Sequence, residues 1–233
     1  MIFLKTDEEI SLMREANHLV GQTLGELAKW VQPGISTKRL DQIAEEFIRD
    51  NGGVPGFKGY EGFPGTLCIE VNDEVVHGFP SEYILKDGDI VGLDCGVVLN
   101  GFNGDSCYTY PVGNVNESIL HLLKTTKESL YLGIEQAKVG NRIGNIGFAI
   151  QDYCEHKGYS VVRELTGHGI GQKLHEDPDI PNYGRKGVGP LLRLGMCICI
   201  EPMINEGSKN VVCDRNGWTI RTRDHKWSAH YEH

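Results

Sequence analysis

Near the start of the chain, apolar residues recur at helical spacing. Ile10, Met13, Val20, Leu24, Leu27 and Val31 share one stripe. Thr6 with Glu9 three residues on is a capping-box start, and Gln32-Pro33-Gly34 is a stop, so the spacing predicts a helix from Thr6 to Val31. A second helix is predicted from Ser36 or Thr37, with Leu40, Ile43, Ala44, Phe47 and Ile48 as its apolar face and Gly52-Gly53 as its end. The pattern then breaks. Residues 52–65 hold six glycines and two prolines interleaved with Phe57, Tyr60 and Phe63, which reads as a loop that carries aromatic side chains rather than as a linker. Short β-branched runs predict strands over Thr66–Val71 and Asp89–Leu99, and Asn100-Gly101 predicts a tight turn into a strand through Cys107 and Tyr110. Helical periodicity returns over Asn116–Lys138 and Ile143–Lys157. Strands are predicted over Tyr159–Glu164, Met196–Met203, Gly217–Thr222 and Ser228–Glu232. This mixture, without repeats, low-complexity tracts or an evident boundary, predicts a single α+β domain over residues 1–233 with antiparallel strands.

Composition narrows the function classes. Hydrophobic residues make up 39% and charged residues 24%, an ordinary globular balance. The net charge of -9 argues against a nucleic-acid footprint, which would be basic. No apolar run approaches a membrane span, and MIFLKTDEEI lacks the apolar core of a signal peptide, so a cytoplasmic protein is expected. The seven cysteines, Cys68, Cys95, Cys107, Cys154, Cys197, Cys199 and Cys213, form no CxxC pair. Most lie in apolar runs, as reduced thiols do in a reducing compartment.

A few polar residues stand out against this background. Asp94 interrupts the apolar run DIVGLDCGVVL, and Asp105 follows across NGFNGD. A hairpin with an even-numbered loop puts both side chains on one face of the sheet as close cross-strand neighbours. Either acid alone reads as a strand-end or turn residue. The pair, with glycines around it, reads as two ligands able to share metal ions. His168 lies between Gly167 and Gly169, and His175 follows before Glu176-Asp177-Pro178. The spacing is not HExxH, which excludes the zinc-protease helix. In CICIEPMI, Glu201 shares parity with Cys197, Cys199 and Met203, where an ionised side chain needs a cationic partner. Glu232 in SAHYEH shares parity with Ser228 and His230 and reads alone as a solvated tail acid; the other four residues promote it to a fifth ligand. Grouped, one imidazole and four carboxylates suit two divalent ions, which cancel four negative charges. The set is hard enough for manganese, iron or cobalt, with zinc also admitted. A water between two such ions loses a proton readily and becomes a nucleophile.

In order and spacing, VVHGFP, DCGVVLNGFNGDSC, GHGIGQKLHEDP, IEPM and HYEH together resemble the compact bacterial type I methionine aminopeptidases across nearly the whole chain. Each motif alone is weak, and five in order are specific. The resemblance implies the pita-bread (creatinase/aminopeptidase) fold, two α+β halves related by a pseudo-twofold around a dimetal cleft. It implies removal of the initiator methionine from nascent polypeptides whose second residue is small, through a metal-bridging water or hydroxide. By position, it implies that Asp94 chelates one metal, that Asp105 and Glu232 bridge, and that His168 and Glu201 complete the coordination of the second metal, with Glu201 also shuttling the proton. His77 would contact the scissile amide and His175 the carbonyl oxygen. Tyr60, Phe63, Cys68 and Trp218 would form the methionine pocket, beside Leu174, where many members carry Phe. The implied partner is the N-terminal methionine of a nascent chain, with transient ribosome association and a monomeric enzyme.

Two other readings share parts of this pattern. An Xaa-Pro dipeptidase would use the same metals but usually carries a large extra N-terminal domain. A non-catalytic pita-bread protein typically loses ligands, and all five are present here. The chain stops one residue after Glu232, where the resemblance leads one to expect a further strand, so Glu232 is expected on a frayed terminus.

Overall fold

A computed structural model describes all of residues 1–233. The four predicted helices are present: α1 (Asp7–Leu27), α2 (Thr37–Asp50), α3 (Glu117–Gln136) and α4 (Ile143–His156). The sequence signals at their starts operate as expected. The Thr6 hydroxyl accepts from the Glu9 amide while the Glu9 carboxylate accepts from the Thr6 amide, and Ser36 caps α2 by accepting from the Arg39 amide. The first helix ends one turn before Val31, because the chain tightens into a turn over 28–30 that delivers Pro33.

The strands are β1 (Val54–Pro55), β2 (Leu67–Val71), β3 (Glu74–Val76), β4 (Ile90–Leu99), β5 (Phe102–Pro111), β6 (Ser160–Val161), β7 (Gly167–Gly169), β8 (Glu176–Ile180), β9 (Met203–Asn205), β10 (Val211–Cys213), β11 (Ile220–Thr222) and β12 (Ser228–His230). All pairings between them are antiparallel. The organising strand is β4. It pairs along its whole length with β5, and along its other edge with β2 and β1. The β4–β5 turn is Asn100-Gly101, with φ of 53° and 80°, the left-handed pair that a two-residue hairpin requires. Three smaller sheets complete the fold: β10-β11-β3, β12-β9-β6 and β7-β8.

Two hydrophobic cores divide the molecule. In the first, Val20, Leu24 and Leu27 of α1 and Leu40, Ala44 and Ile48 of α2 pack on Leu67, Ile69, Val91, Leu93 and Val97 of the large sheet. In the second, Leu122 and Leu130 of α3 and Ile146 and Ile150 of α4 pack on Val161, Ile180, Ile204 and Ala229. A third cluster, including Met13, Phe57, Phe63, Cys68, Leu174 and Cys199, draws on both halves and borders the cleft between them.

Several strand expectations are corrected. Met196–Met203 is not a strand; only its last residue enters β9. The alternation read there is real, because Ile198 and Ile200 face the second core while Cys199 faces the third cluster. The segment is instead tied irregularly to β7, through Cys199 N–H to the His168 carbonyl at 2.7 Å and Ile170 N–H to the Cys197 carbonyl at 3.1 Å. Tyr159–Glu164 shrinks to β6, and β3, β7, β8 and β10 are strands that periodicity did not reveal, three to five residues each. The terminus is not frayed. Glu232 N–H donates to the Cys107 carbonyl at 2.9 Å, the Ser106 hydroxyl donates to the Glu232 carbonyl at 2.6 Å, and Ile200 and His233 exchange two backbone bonds. Glu232 is 2% exposed.

Candidate metal centre and active site

The β4–β5 hairpin places Asp94 and Asp105 on one face, but not directly opposite one another. Asp94 lies across from Cys107 and Asp105 from Gly96, so the two acids are diagonal neighbours. The expected cross-strand pairing is corrected to this diagonal, which still lies within reach of two carboxylates. From the second half, β7 carries His168, the irregular segment carries Glu201, and the residues after β12 carry Glu232. One ligand atom each from Asp105, His168, Cys199 and Glu232 lies within 4.8 Å of the others. His168 Nε2 is 3.6 Å from Glu201 Oε1 and 4.0 Å from Asp105 Oδ2. All twelve residues singled out in the sequence (Tyr60, Phe63, Cys68, His77, Asp94, Asp105, His168, Leu174, His175, Glu201, Trp218 and Glu232) line one cavity of about 780 Å³ between the two halves.

The electrostatics of this cluster call for cations. Burial pushes the Asp94 carboxyl up to about 7, and burial with mutual repulsion lifts Asp105, Glu201 and Glu232 well above the ordinary carboxylate range. Asp94 Oδ1, Asp105 Oδ1 and Glu232 Oε1 are buried without a hydrogen-bond partner. His168 shows the same need from the other side. Its Nδ1 lies 2.9 Å from the Gly169 carbonyl, which can only accept, so Nδ1 carries the proton and Nε2 presents a lone pair. Burial lowers this imidazole to about 4, so it is neutral. A lone pair facing two carboxylates at under about 4 Å is repulsive unless a cation lies between them. The oxygen-rich donor set with one imidazole, four charges to be cancelled and three orphaned oxygens fits two divalent ions.

The rest of the cavity is arranged around this cluster. The His175 ring meets the His168 ring at 4.3 Å between centroids, and its Nδ1 lies 2.9 Å from the Tyr60 hydroxyl. His77 sits at φ 58°, its carbonyl accepting from the Thr219 hydroxyl, and burial lowers its imidazole to about 4. The Phe63 and Trp218 rings stack edge to face at 5.3 Å, and Phe63 meets Phe79 at the same distance. Buried Cys68 and Leu174 close the apolar wall. Three residues near the cluster escaped the sequence reading. Cys199 lies two residues before Glu201, Glu70 lies two residues after Cys68, and His230 stands 3.9 Å from Glu201. Sharing the alternation of a neighbouring candidate residue was the only signal for each of them.

Known proteins share both this sequence and this architecture. Residues 11–233 match the model of metallopeptidase family M24. Methionine aminopeptidase 1 of Bacillus subtilis is 54% identical over 233 residues, covering 100% of this chain and 94% of the relative. The methionine aminopeptidase of Clostridium perfringens is 55% identical over 232 residues, covering 100% and 93%. The crystal structure of methionine aminopeptidase from Rickettsia prowazekii superposes with a TM-score of 0.99 at 40% identity, covering 100% of this chain and 94% of that one. A prolidase from Pyrococcus furiosus, 24% identical with a TM-score of 0.78 over 98% of this chain and 60% of its own, shares the fold alone. The two helix-backed halves around the acidic cleft are thus the pita-bread fold. With its sequence matched from end to end by these relatives, the chain belongs to metallopeptidase family M24, among the methionine aminopeptidases.

Proposed function

We infer that this protein is a metal-dependent aminopeptidase that removes N-terminal methionine. The observation that carries the reading is the convergence of Asp94, Asp105, His168, Glu201 and Glu232 from both halves at the floor of one cavity with aromatic walls. Residues 1–233 act as a single catalytic domain. Asp94 would chelate one ion, Asp105 and Glu232 would bridge, and His168 Nε2 with Glu201 would complete the coordination of the second ion. The ions are two divalent cations, cobalt, manganese, iron or zinc. When bound, they would polarise the scissile carbonyl and lower the pKa of a water between them.

The side chains supply the rest. The Tyr60 hydroxyl, by donating to His175 Nδ1, leaves Nε2–H free to donate to the substrate carbonyl oxygen as charge develops there. His77, held neutral by burial, supports the scissile amide. Glu201 takes the proton of the attacking water and passes it toward the leaving amine. Tyr60, Phe63, Cys68, Leu174 and Trp218 enclose a flexible thioether through packing and sulfur–aromatic contact. The substrates are nascent chains with a small second residue, met in the cytoplasm by a monomeric enzyme that touches the ribosome only transiently. No helix is long and apolar enough to cross a membrane. The test is turnover of Met-Ala-Ser against Leu-Ala-Ser and Ala-Pro, with chelated protein titrated by manganese or cobalt. Metal-dependent cleavage confined to the methionine peptide is expected. Cleavage of Ala-Pro instead would move the reading to a dipeptidase.

A further inference from the structure

Two divalent cations cancel the charge of four carboxylates, but a fifth acid, Glu70, is buried on the face of the sheet that carries Asp94. Glu70, on β2, is 3% exposed, and neither of its carboxylate oxygens has a hydrogen-bond partner. Its strand places it across from Gly92, on the face that carries Asp94. Burial raises this carboxyl well above the ordinary range, and ionising it here without a counterion would cost several kcal/mol, on the order of the penalty for any buried ion. No lysine or arginine donates to it. Two other side chains do. Cys107 of β5 is fully buried, and His230 of β12 is 3% exposed with neither ring nitrogen hydrogen-bonded. One ligand atom from each of Glu70, Cys107 and His230 lies within 4.8 Å of the other two.

We propose that Glu70, Cys107 and His230 form a third divalent-metal site, separate from the five-residue cluster and selective for zinc. The donor chemistry supports it. A carboxylate, a thiolate and a neutral imidazole carry two negative charges, which one divalent cation cancels. The thiolate makes this set softer than the neighbouring carboxylate cluster and favours zinc. Three protein ligands leave a fourth position for water or for a neighbouring oxygen. The placement gives the ion a structural purpose. Its ligands lie on β2, β5 and β12, and β12 leads directly into Glu232. An ion here would pin the terminal strand to the hairpin of the opposite half and so hold Glu232 at the cluster.

The test starts from chelated, otherwise intact protein titrated with zinc alone. Three equivalents are expected to bind, falling to two in Glu70→Gln and in Cys107→Ser. Cobalt substitution reads the thiolate directly. A near-ultraviolet sulfur-to-cobalt band is expected, lost in Cys107→Ser and retained in Cys199→Ser, the control for the thiol beside the other cluster. Should Cys107→Ser not fold, zinc-edge X-ray absorption of the wild-type protein decides, because sulfur at about 2.3 Å appears only if a thiolate binds, and it is expected to persist in Cys199→Ser. Saturation at two equivalents, or a sulfur signal that vanishes with Cys199→Ser, overturns the proposal. Neither readout depends on peptidase activity, so loss of the third ion and failure of the aminopeptidase reading are told apart.

Discussion

At the scale of single residues, variants of His175 and Asp105 would separate binding of metal from use of it. His175 contacts the ring of His168 and is oriented by Tyr60, yet it lies outside the group of converging carboxylates. His175→Ala is therefore expected to retain its metal content while turnover falls about 10²–10³-fold, the usual loss for one donor to a developing oxyanion. Unchanged turnover with full occupancy would remove its assigned role. Asp105 sits between Asp94 on one side and His168 and Glu232 on the other. Asp105→Asn preserves the shape but replaces a carboxylate with a neutral amide at the point both ions would share. Occupancy of both ions is expected to fall together in metal analysis. Loss of one ion alone would assign Asp105 to a single shell.

At the scale of elements, the hairpin is positioned by how closely α1 approaches it. A Cβ built on Gly104 would stand 2.7 Å from the backbone of Ala16 and Asn17, and the Asn17 side chain accepts from the Asp105 amide. Gly104→Ala thus pushes the helix off the strand that carries Asp105 of the acidic cluster. It is expected to cost about 1–3 kcal/mol in urea denaturation, as overpacking does, and to weaken metal binding as well. An unshifted midpoint would show that α1 is free to move. These elements also show what the sequence makes legible. The helices announce themselves because caps and a 3.6-residue period are local, and Asn100-Gly101 specifies its turn by backbone conformation alone. Residues 197–201 mislead because their alternation comes from lying between two cores rather than from a ladder. Glu70, Cys107 and His230 are silent for a deeper reason. Each is unremarkable on its own strand, and only the meeting of β2, β5 and β12 makes them a group.

At the scale of the whole molecule, the acidic cluster belongs to neither half. Asp94 and Asp105 come from the sheet that backs the first core, whereas His168, Glu201 and Glu232 come from segments packed on the second. Bound cations would therefore act as a clasp between the halves, and their removal leaves like charges facing one another across the cleft. Chelation is expected to lower the melting temperature in calorimetry, with recovery on adding manganese; each site at 100-fold excess over its Kd contributes about 2.7 kcal/mol. The pH dependence has a definite sign. In the metal-free protein the Asp94 carboxyl is raised to about 7 and burial with mutual repulsion lifts its neighbours well above the ordinary carboxylate range, so the folded state holds protons that the unfolded chain has already released. Stability of the metal-free protein must then fall as pH rises through that window. The buried histidines oppose this only below their ordinary value of 6.5, because above it both states hold them neutral. In the metal-loaded protein the carboxylates are ionised throughout and this loss disappears. The gap in melting temperature between loaded and chelated protein should accordingly widen as pH rises from the ordinary carboxylate range toward about pH 7. A constant gap would mean that the halves hold together without the clasp, and that the fold's own cores, not the site, set its stability.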